Sequence, residues 1–134
     1  MSTLHLQIVT PEALAFQAEV SDVLVPGVEG ELGILPQHVP FMTQILPGEL
    51  RFHQQGKEIR FAVGGGFLEV RPDRVSVLTD MAMEAGEINE QEVLTEIAEA
   101  QEVIKANRLS KEELATLEDS LQRSLAKLRV KQRP

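Results

Sequence analysis

The hydrophobic repeat of this chain changes its period once, near Gly86, and that change limits what the chain can fold into. Before Gly86 apolar residues recur at every second position: Leu4, Leu6 and Ile8, then Leu50 and Phe52, then Ile59, Phe61 and Val63, then Val75 and Val77. Alternate side chains of a strand point to opposite faces, so this repeat describes strands with one buried face. After Gly86 the repeat lengthens to three and four. Val93, Ile97, Ala100 and Ile104 fall on one helical stripe, and Leu114, Leu117, Leu121, Leu125 and Leu128 on another. No single periodic element spans the change, so the chain divides into residues 1–86 and 87–134.

Composition follows the same division. All nine glycines lie at or before Gly86, as do six of the seven prolines and all five phenylalanines. Turn chemistry separates the short apolar runs at Pro26-Gly27, Pro47-Gly48, Gln55-Gly56 and Pro72-Asp73. Strands of this length with turns about every ten residues predict an antiparallel sandwich or barrel. The runs Glu49 to Gln54 and Lys57 to Val63 predict a hairpin about Gln55-Gly56. Beyond Gly86, Asn89 with Glu92 and Ser110 with Glu113 have the spacing of capping boxes. The few residues around Asn107 and Arg108 leave room only for a short connection, so the two helices form an antiparallel hairpin. Charge agrees with helix direction: Glu112, Glu113, Glu118 and Asp119 open the second helix, and Arg123, Lys127, Arg129 and Lys131 close it. The fold class expected is α+β, an N-terminal antiparallel β-sandwich followed by a C-terminal antiparallel two-helix hairpin.

Several function classes lack their chemistry here. A net charge of −8 disfavours nucleic acid and anionic lipid as partners. Cysteine is absent, which removes disulfides and thiolate chemistry. No apolar run approaches the ~20 residues of a membrane helix, so no direct membrane insertion is expected. The N-terminus has no secretory pattern. The three histidines, His5, His38 and His53, stand in no metal-binding or triad spacing. Gly64-Gly65-Gly66 precedes a strand pattern instead of a helix and lacks a following Lys-Ser/Thr, so it reads as a bulge or a close backbone approach. Glu92, Glu96 and Glu99 share a helix face and read as a solvated acidic surface. No catalytic constellation can be assembled.

Binding chemistry is easier to find. The run Gly30-Glu31-Leu32-Gly33-Ile34-Leu35-Pro36-Gln37-His38-Val39-Pro40 fits neither period and reads as a projecting loop shaped by Gly and Pro. With Leu32, His38, Phe41 and Met42 it offers a docking surface. Each of the five leucines of the second helix is worth about 1.5–3 kcal/mol if fully buried. An isolated hairpin cannot bury them all, so it docks on the sandwich or on another protein. Reversing such a docking needs roughly 5.5 kcal/mol of differential binding, within reach of a few leucines changing neighbours. The basic end of the second helix, from Arg123 to Arg133, either complements the helix dipole or meets an acidic partner.

The Gly30 to Pro40 run, together with Gly64-Gly65-Gly66-Phe67-Leu68-Glu69-Val70, resembles the signature of the epsilon subunit of F-type ATP synthases. The likeness extends from Leu4 to about Val130. It implies a non-catalytic rotor subunit that binds gamma and sits on the c-ring, coupling c-ring rotation through gamma to ATP synthesis. It implies c-ring contact through Glu29, Glu31, Leu32 and His38, supported by Phe41 and Met42. It further implies a hairpin that extends toward the alpha and beta subunits and inhibits ATP hydrolysis, with Arg123, Lys127 and Arg129 facing an acidic segment of beta. The implied location is peripheral, on the cytoplasmic face of a bacterial inner membrane in preference to a chloroplast thylakoid. Some family members bind ATP in the hairpin through an Ile/Leu-Asp-x-x-Arg-Ala motif. Here the stretch reads Ile88-Asn89-Glu90-Gln91-Glu92-Val93, with Asn for Asp, Glu for Arg and Val for Ala, so no cofactor is expected. The competing reading, a free-standing β-sandwich ligand-binding module, is weakened by the absence of Trp and Tyr.

Overall fold

A computed structural model describes residues 2–133; Met1 and Pro134, the ends of the two expected units, lie outside the described residues. Ten strands come first: β1 (Leu4–Val9), β2 (Leu14–Val20), β3 (Asp22–Gly27), β4 (Gly30–Ile34), β5 (Phe41–Ile45), β6 (Gly48–Gln54), β7 (Lys57–Val63), β8 (Gly66–Arg71), β9 (Arg74–Thr79) and β10 (Ala82–Glu84). A single 3-10 turn at Ala85–Glu87 leads to α1 (Glu90–Lys105) and α2 (Lys111–Gln132). The change from strand to helix falls where the hydrophobic period changes.

The strands follow one path, β10-β7-β6-β3-β5-β8-β9-β1-β2, with β4 added on β3. β3 and β5 share only the pair Gly27↔Ile45, and the path folds over at that corner into two layers. Phe16 of β2 meets Phe52 of β6 across the layers, ring centroids 4.9 Å apart. The alternating residues fill the space between: Leu4, Leu6, Ile8, Val23, Val25, Leu50, Phe52, Leu68, Val75 and Val77 are all fully buried. The hairpin about Gln55-Gly56 forms as expected, with φ of 52° and 79° at the two turn residues, the left-handed pair of a type I′ turn.

The expected sandwich followed by two packed helices is observed, with two differences of detail. The sandwich is not antiparallel throughout, because β1 lies parallel to β9, from His5↔Arg74 to Val9↔Leu78. No tight turn links these two strands, so their relative direction is set by the long path between them. The Gly30 to Pro40 run is also not all loop. Gly30–Ile34 is a strand paired with β3 through a two-residue turn, Val28-Glu29. Leu32 and Ile34 alternate with Glu31 and Gly33, a period-two signal hidden by the flanking Gly and Pro. The true loop is 35–40, pinned where Gln37 N–H donates to the Pro72 carbonyl at 2.9 Å.

The glycine triplet serves close approach. A Cβ on Gly66 would lie 1.9 Å from the Leu78 carbonyl oxygen, and one on Gly64 would lie 1.8 Å from Asp80 Oδ1. Both helix starts are capped. Asn89 accepts from Glu92 N–H without the reciprocal bond, whereas Ser110 and Glu113 form a full capping box. The two hydrogen bonds from Ser110 hold the Glu113 carboxyl below its ordinary pKa. The helices bury different amounts. Of the expected α1 stripe, Val93, Ile97 and Ala100 are buried and Ile104 is half-buried. On α2 the buried residues are Ser124, Ala126 and Val130, and all five leucines of the stripe are only half-buried. The helix is rotated so that Ala126 and Val130 face the sheet, while Ser124, bonded to Glu96, and the leucines lie on the side of α1.

Gly66→Ala therefore forces a methyl into fixed backbone and is expected to cost about 3 kcal/mol or more. Gly86→Ala, with nothing within 4 Å of the new Cβ, is expected to stay near neutral. Urea unfolding of both variants checks the contrast; equal effects would refute it.

Candidate functional site

Interaction chemistry is concentrated in two places, the ends of the sandwich and the seam between α2 and the outer face of β6 and β7. In β6, Leu50 and Phe52 point inward, so Glu49, Arg51 and His53 point outward. In β7 the same alternation sends Arg60 and Ala62 outward. α2 covers this outer face. Ala62 is sealed there with Val130, Ile88, Val93 and Ile97, and Met81, Met83, Leu121, Leu125 and Leu128 pack at the edge. This second core is small and separate from the main one. α1 rests on α2, so the hairpin reaches the sandwich chiefly through the C-terminal half of α2.

Charge surrounds the seam. Arg51 donates to Glu31 and to Glu49, each at 3.0 Å. Glu49 also receives Arg133 from the end of α2, and Arg60 stands 3.7 Å from its second oxygen. Arg60 donates to the Val130 carbonyl at 2.5 Å. Burial pulls the Arg51 pKa down, but the Glu49 hydrogen bond and the fields of Glu31, Glu49 and Glu58 outweigh it, leaving the guanidinium above its ordinary value. A continuous line of ion pairs thus runs from Glu31 through Arg51 and Glu49 to Arg133.

The expected inhibitory residues divide. Arg123 is held by Asp80 at 3.3 Å and by Asp119 one turn earlier on its own helix. Lys127 lies 3.8 Å from Glu96, which also accepts from the Ser124 hydroxyl at 2.9 Å. Glu96 is thus engaged in the hairpin, not merely solvated. Arg129 is exposed and makes no ion pair among the described residues. Asn89, on the motif that departs from the nucleotide-binding pattern, spends its side-chain oxygen on the helix cap, and Glu92 is exposed.

The six expected c-ring residues do not converge. Glu29 sits in the turn that opens β4, and Glu31 follows it. His38, Phe41 and Met42 lie past the other end of β4, about 13 Å away by strand rise. Leu32 and Phe41 also give part of their surface to the main core. His38 stacks near Phe41, centroids 5.1 Å apart, and its Nδ1–H donates to the Val39 carbonyl at 2.9 Å. Beside them Leu35, Val39 and Met42 are exposed by 63%, 73% and 63%. Sequence reading missed Leu35 and Val39. The signal was available, since aliphatics between prolines in a loop have no strand face to hide on.

The remaining histidines face surface carboxylates. His5 faces Glu19 at 3.2 Å, whose other oxygen accepts from the Thr3 hydroxyl, and His53 faces Asp22 at 2.9 Å. Among the described residues no group of three or more His, Cys, Asp or Glu is arranged to hold a metal. No helix there is long and apolar enough to cross a membrane.

Comparison with known proteins agrees with this geometry. Residues 3–85 match the family model "ATP synthase, Delta/Epsilon chain, beta-sandwich domain". The ATP synthase epsilon chain of Herpetosiphon aurantiacus is 40% identical over 127 residues, 95% of this chain and 93% of that relative. The epsilon chain of Dehalococcoides mccartyi is 42% identical, over 97% of this chain and 93% of its own length. Among solved structures, a chain of the Euglena gracilis mitochondrial ATP synthase superimposes with a TM-score of 0.76 at 23% identity, covering 91% of this chain and 77% of that one. A chain of the Tetrahymena thermophila central stalk and c-ring gives 0.60 at 12% identity, covering 96% of both. These two likenesses speak for the fold. With a sandwich model spanning most of its length and relatives this similar from end to end, the chain belongs to the epsilon-chain family of F-type ATP synthases, the non-catalytic subunits of the central stalk.

Proposed function

We propose that the sandwich of this subunit, residues 1–86, anchors it to gamma and to the c-ring, and that residues 87–134 form a releasable hairpin that restrains ATP hydrolysis. One observation carries the proposal: the hairpin's contact with the sandwich is made chiefly by one half of one helix, over a small core of its own. A unit attached in this way leaves without opening the main core, in which every fully buried residue precedes residue 78. Once extended, it reaches the alpha and beta subunits of the catalytic head.

The separation of the six sandwich residues supports a division of labour. Glu29 and Glu31, with Leu32 behind them, suit the polar loops of the c-ring, because they form an acidic turn at one end of the sandwich. His38, Phe41 and Met42, joined by Leu35 and Val39, form an apolar group at the other end and suit a second protein contact, with gamma the partner of choice. The location that follows is peripheral, on the cytoplasmic face of a bacterial inner membrane.

Arg123 and Lys127 are both engaged while the hairpin is docked. Facing beta requires Arg123 to give up Asp80, so docking and inhibition exclude one another at this residue. Arg129 is the contact available in both states. ATP has no evident hold here: Glu92 stands where the family motif has arginine and would repel phosphate, and Asn89 is committed to the cap.

Calorimetric titration of the purified chain with MgATP is expected to give no micromolar binding; a micromolar isotherm would reverse the cofactor reading. A chain ending at Gly86 is expected to stay folded, to assemble with gamma, and to lose inhibition of hydrolysis. Failure to fold would contradict two independent units. Folding and assembly with hydrolysis unchanged would remove the inhibitory role.

A further inference from the structure

We propose that Glu49 is the latch of the docked hairpin, a carboxylate that sets how often α2 leaves the sandwich and contributes little to the sandwich itself. The inference rests on the reading that the hairpin is releasable.

Glu49 points out of the sheet, yet its side chain is only 9% exposed, because α2 lies over it. Its Oε1 receives Arg51 from the sandwich and Arg133 from the hairpin. Among the described residues its buried Oε2 has no hydrogen bond, and the cation near it is Arg60, at 3.7 Å. A sealed carboxylate with one oxygen unsatisfied is costly unless its cationic neighbours stay in place. Two of those neighbours define the docked state. Arg133 comes from α2, and Arg60 fastens the Val130 carbonyl, one of the last carbonyls of α2 that lack a donor within the helix. Glu49 therefore joins the terminal turn of α2 to β6 and β7 by charge at the place where Val130 and Ala62 join them by packing.

The latch is built to open. When α2 departs, Glu49 regains water and keeps Arg51, which also keeps Glu31. Arg123 keeps Asp119 on its own helix when it loses Asp80. Both residues that bridge the seam in this way retain a partner on their own side, so release strands neither charge. Removing the carboxylate has the opposite effect. In Glu49→Gln the docked state holds Arg51, Arg60 and Arg133 around a neutral amide, whereas the released state spreads those charges into solvent. The substitution therefore favours release. Arg133→Gln removes only the hairpin's share and has a smaller effect of the same sign.

Hydrogen exchange on the full-length chain tests this, because the sandwich and α2 are read in one experiment. Glu49→Gln is expected to speed exchange over the C-terminal half of α2 by about tenfold, and Arg133→Gln by less. Amides of β1, β8 and β9 are expected to keep their rates in both. Val130→Asp, which places a charge in the apolar seam, is the control that undocks a releasable hairpin by another route. If Val130→Asp frees α2 while Glu49→Gln and Arg133→Gln leave its exchange unchanged, the latch is refuted and the releasable hairpin stands. If α2 exchanges faster only together with β1, β8 and β9 in every variant, the hairpin is not a separate unit and both readings fall.

Discussion

The structure depends most on the contact between α2 and the outer face of β6 and β7. A sandwich of this size closes its own core, and Leu50, Phe52, Phe61 and Val63 need nothing from the helices. The helices, by contrast, have nowhere else to put Val93, Ile97 and Val130. They meet the sheet at Ala62, a residue small enough to let a helix approach closely. Val130 and Ala126 on the other side are equally spare. Small partners give close contact with modest apolar area, and the strength of a hydrophobic contact scales with that area. The seam therefore holds the hairpin over a modest apolar area, as the proposed release requires.

Polar chemistry makes up part of the difference. Asp80 sits where Gly64 leaves room for it: a Cβ there would collide with the carboxylate that Arg123 meets. The glycine run is thus tied to the hairpin through space as well as to the sandwich through Gly66. A half-exposed pair such as Asp80–Arg123 contributes little by itself. Glu49 differs because it is sealed, and a sealed charge amplifies any change in its neighbours.

Much of this was legible in the sequence, because its main signals are local. Period two and period 3.6 are properties of neighbouring residues, and they located the change of architecture, the Gln55-Gly56 hairpin and both capped helices. What was hidden is what depends on distant partners. Parallel pairing of β1 with β9 leaves no mark on either strand. The strand at Gly30–Ile34 was masked because glycine at Gly30, with φ of 113°, reads as loop chemistry while serving a tight turn. The rotation of α2 was hidden for a related reason. Five leucines at helical spacing mark an apolar stripe but not which side of it meets the sheet, and Ala126 and Val130 were the residues chosen.

The candidate surfaces were legible as residue types and not as places. Glu29 and His38 are nine positions apart in one conspicuous run, and proximity in sequence suggested one contact. A single strand between them sends them to opposite ends of the sandwich. Under the proposed division of labour that separation matters, because a subunit joining two bodies needs faces that do not compete. An acidic turn at one end and an aliphatic loop at the other satisfy that requirement through the length of β4. The line of pairs from Glu31 to Arg133 then runs along the outer face between the acidic turn and the seam of the hairpin. Because Arg51 is shared by Glu31 and Glu49, whatever engages the first carboxylate also alters the field at the second.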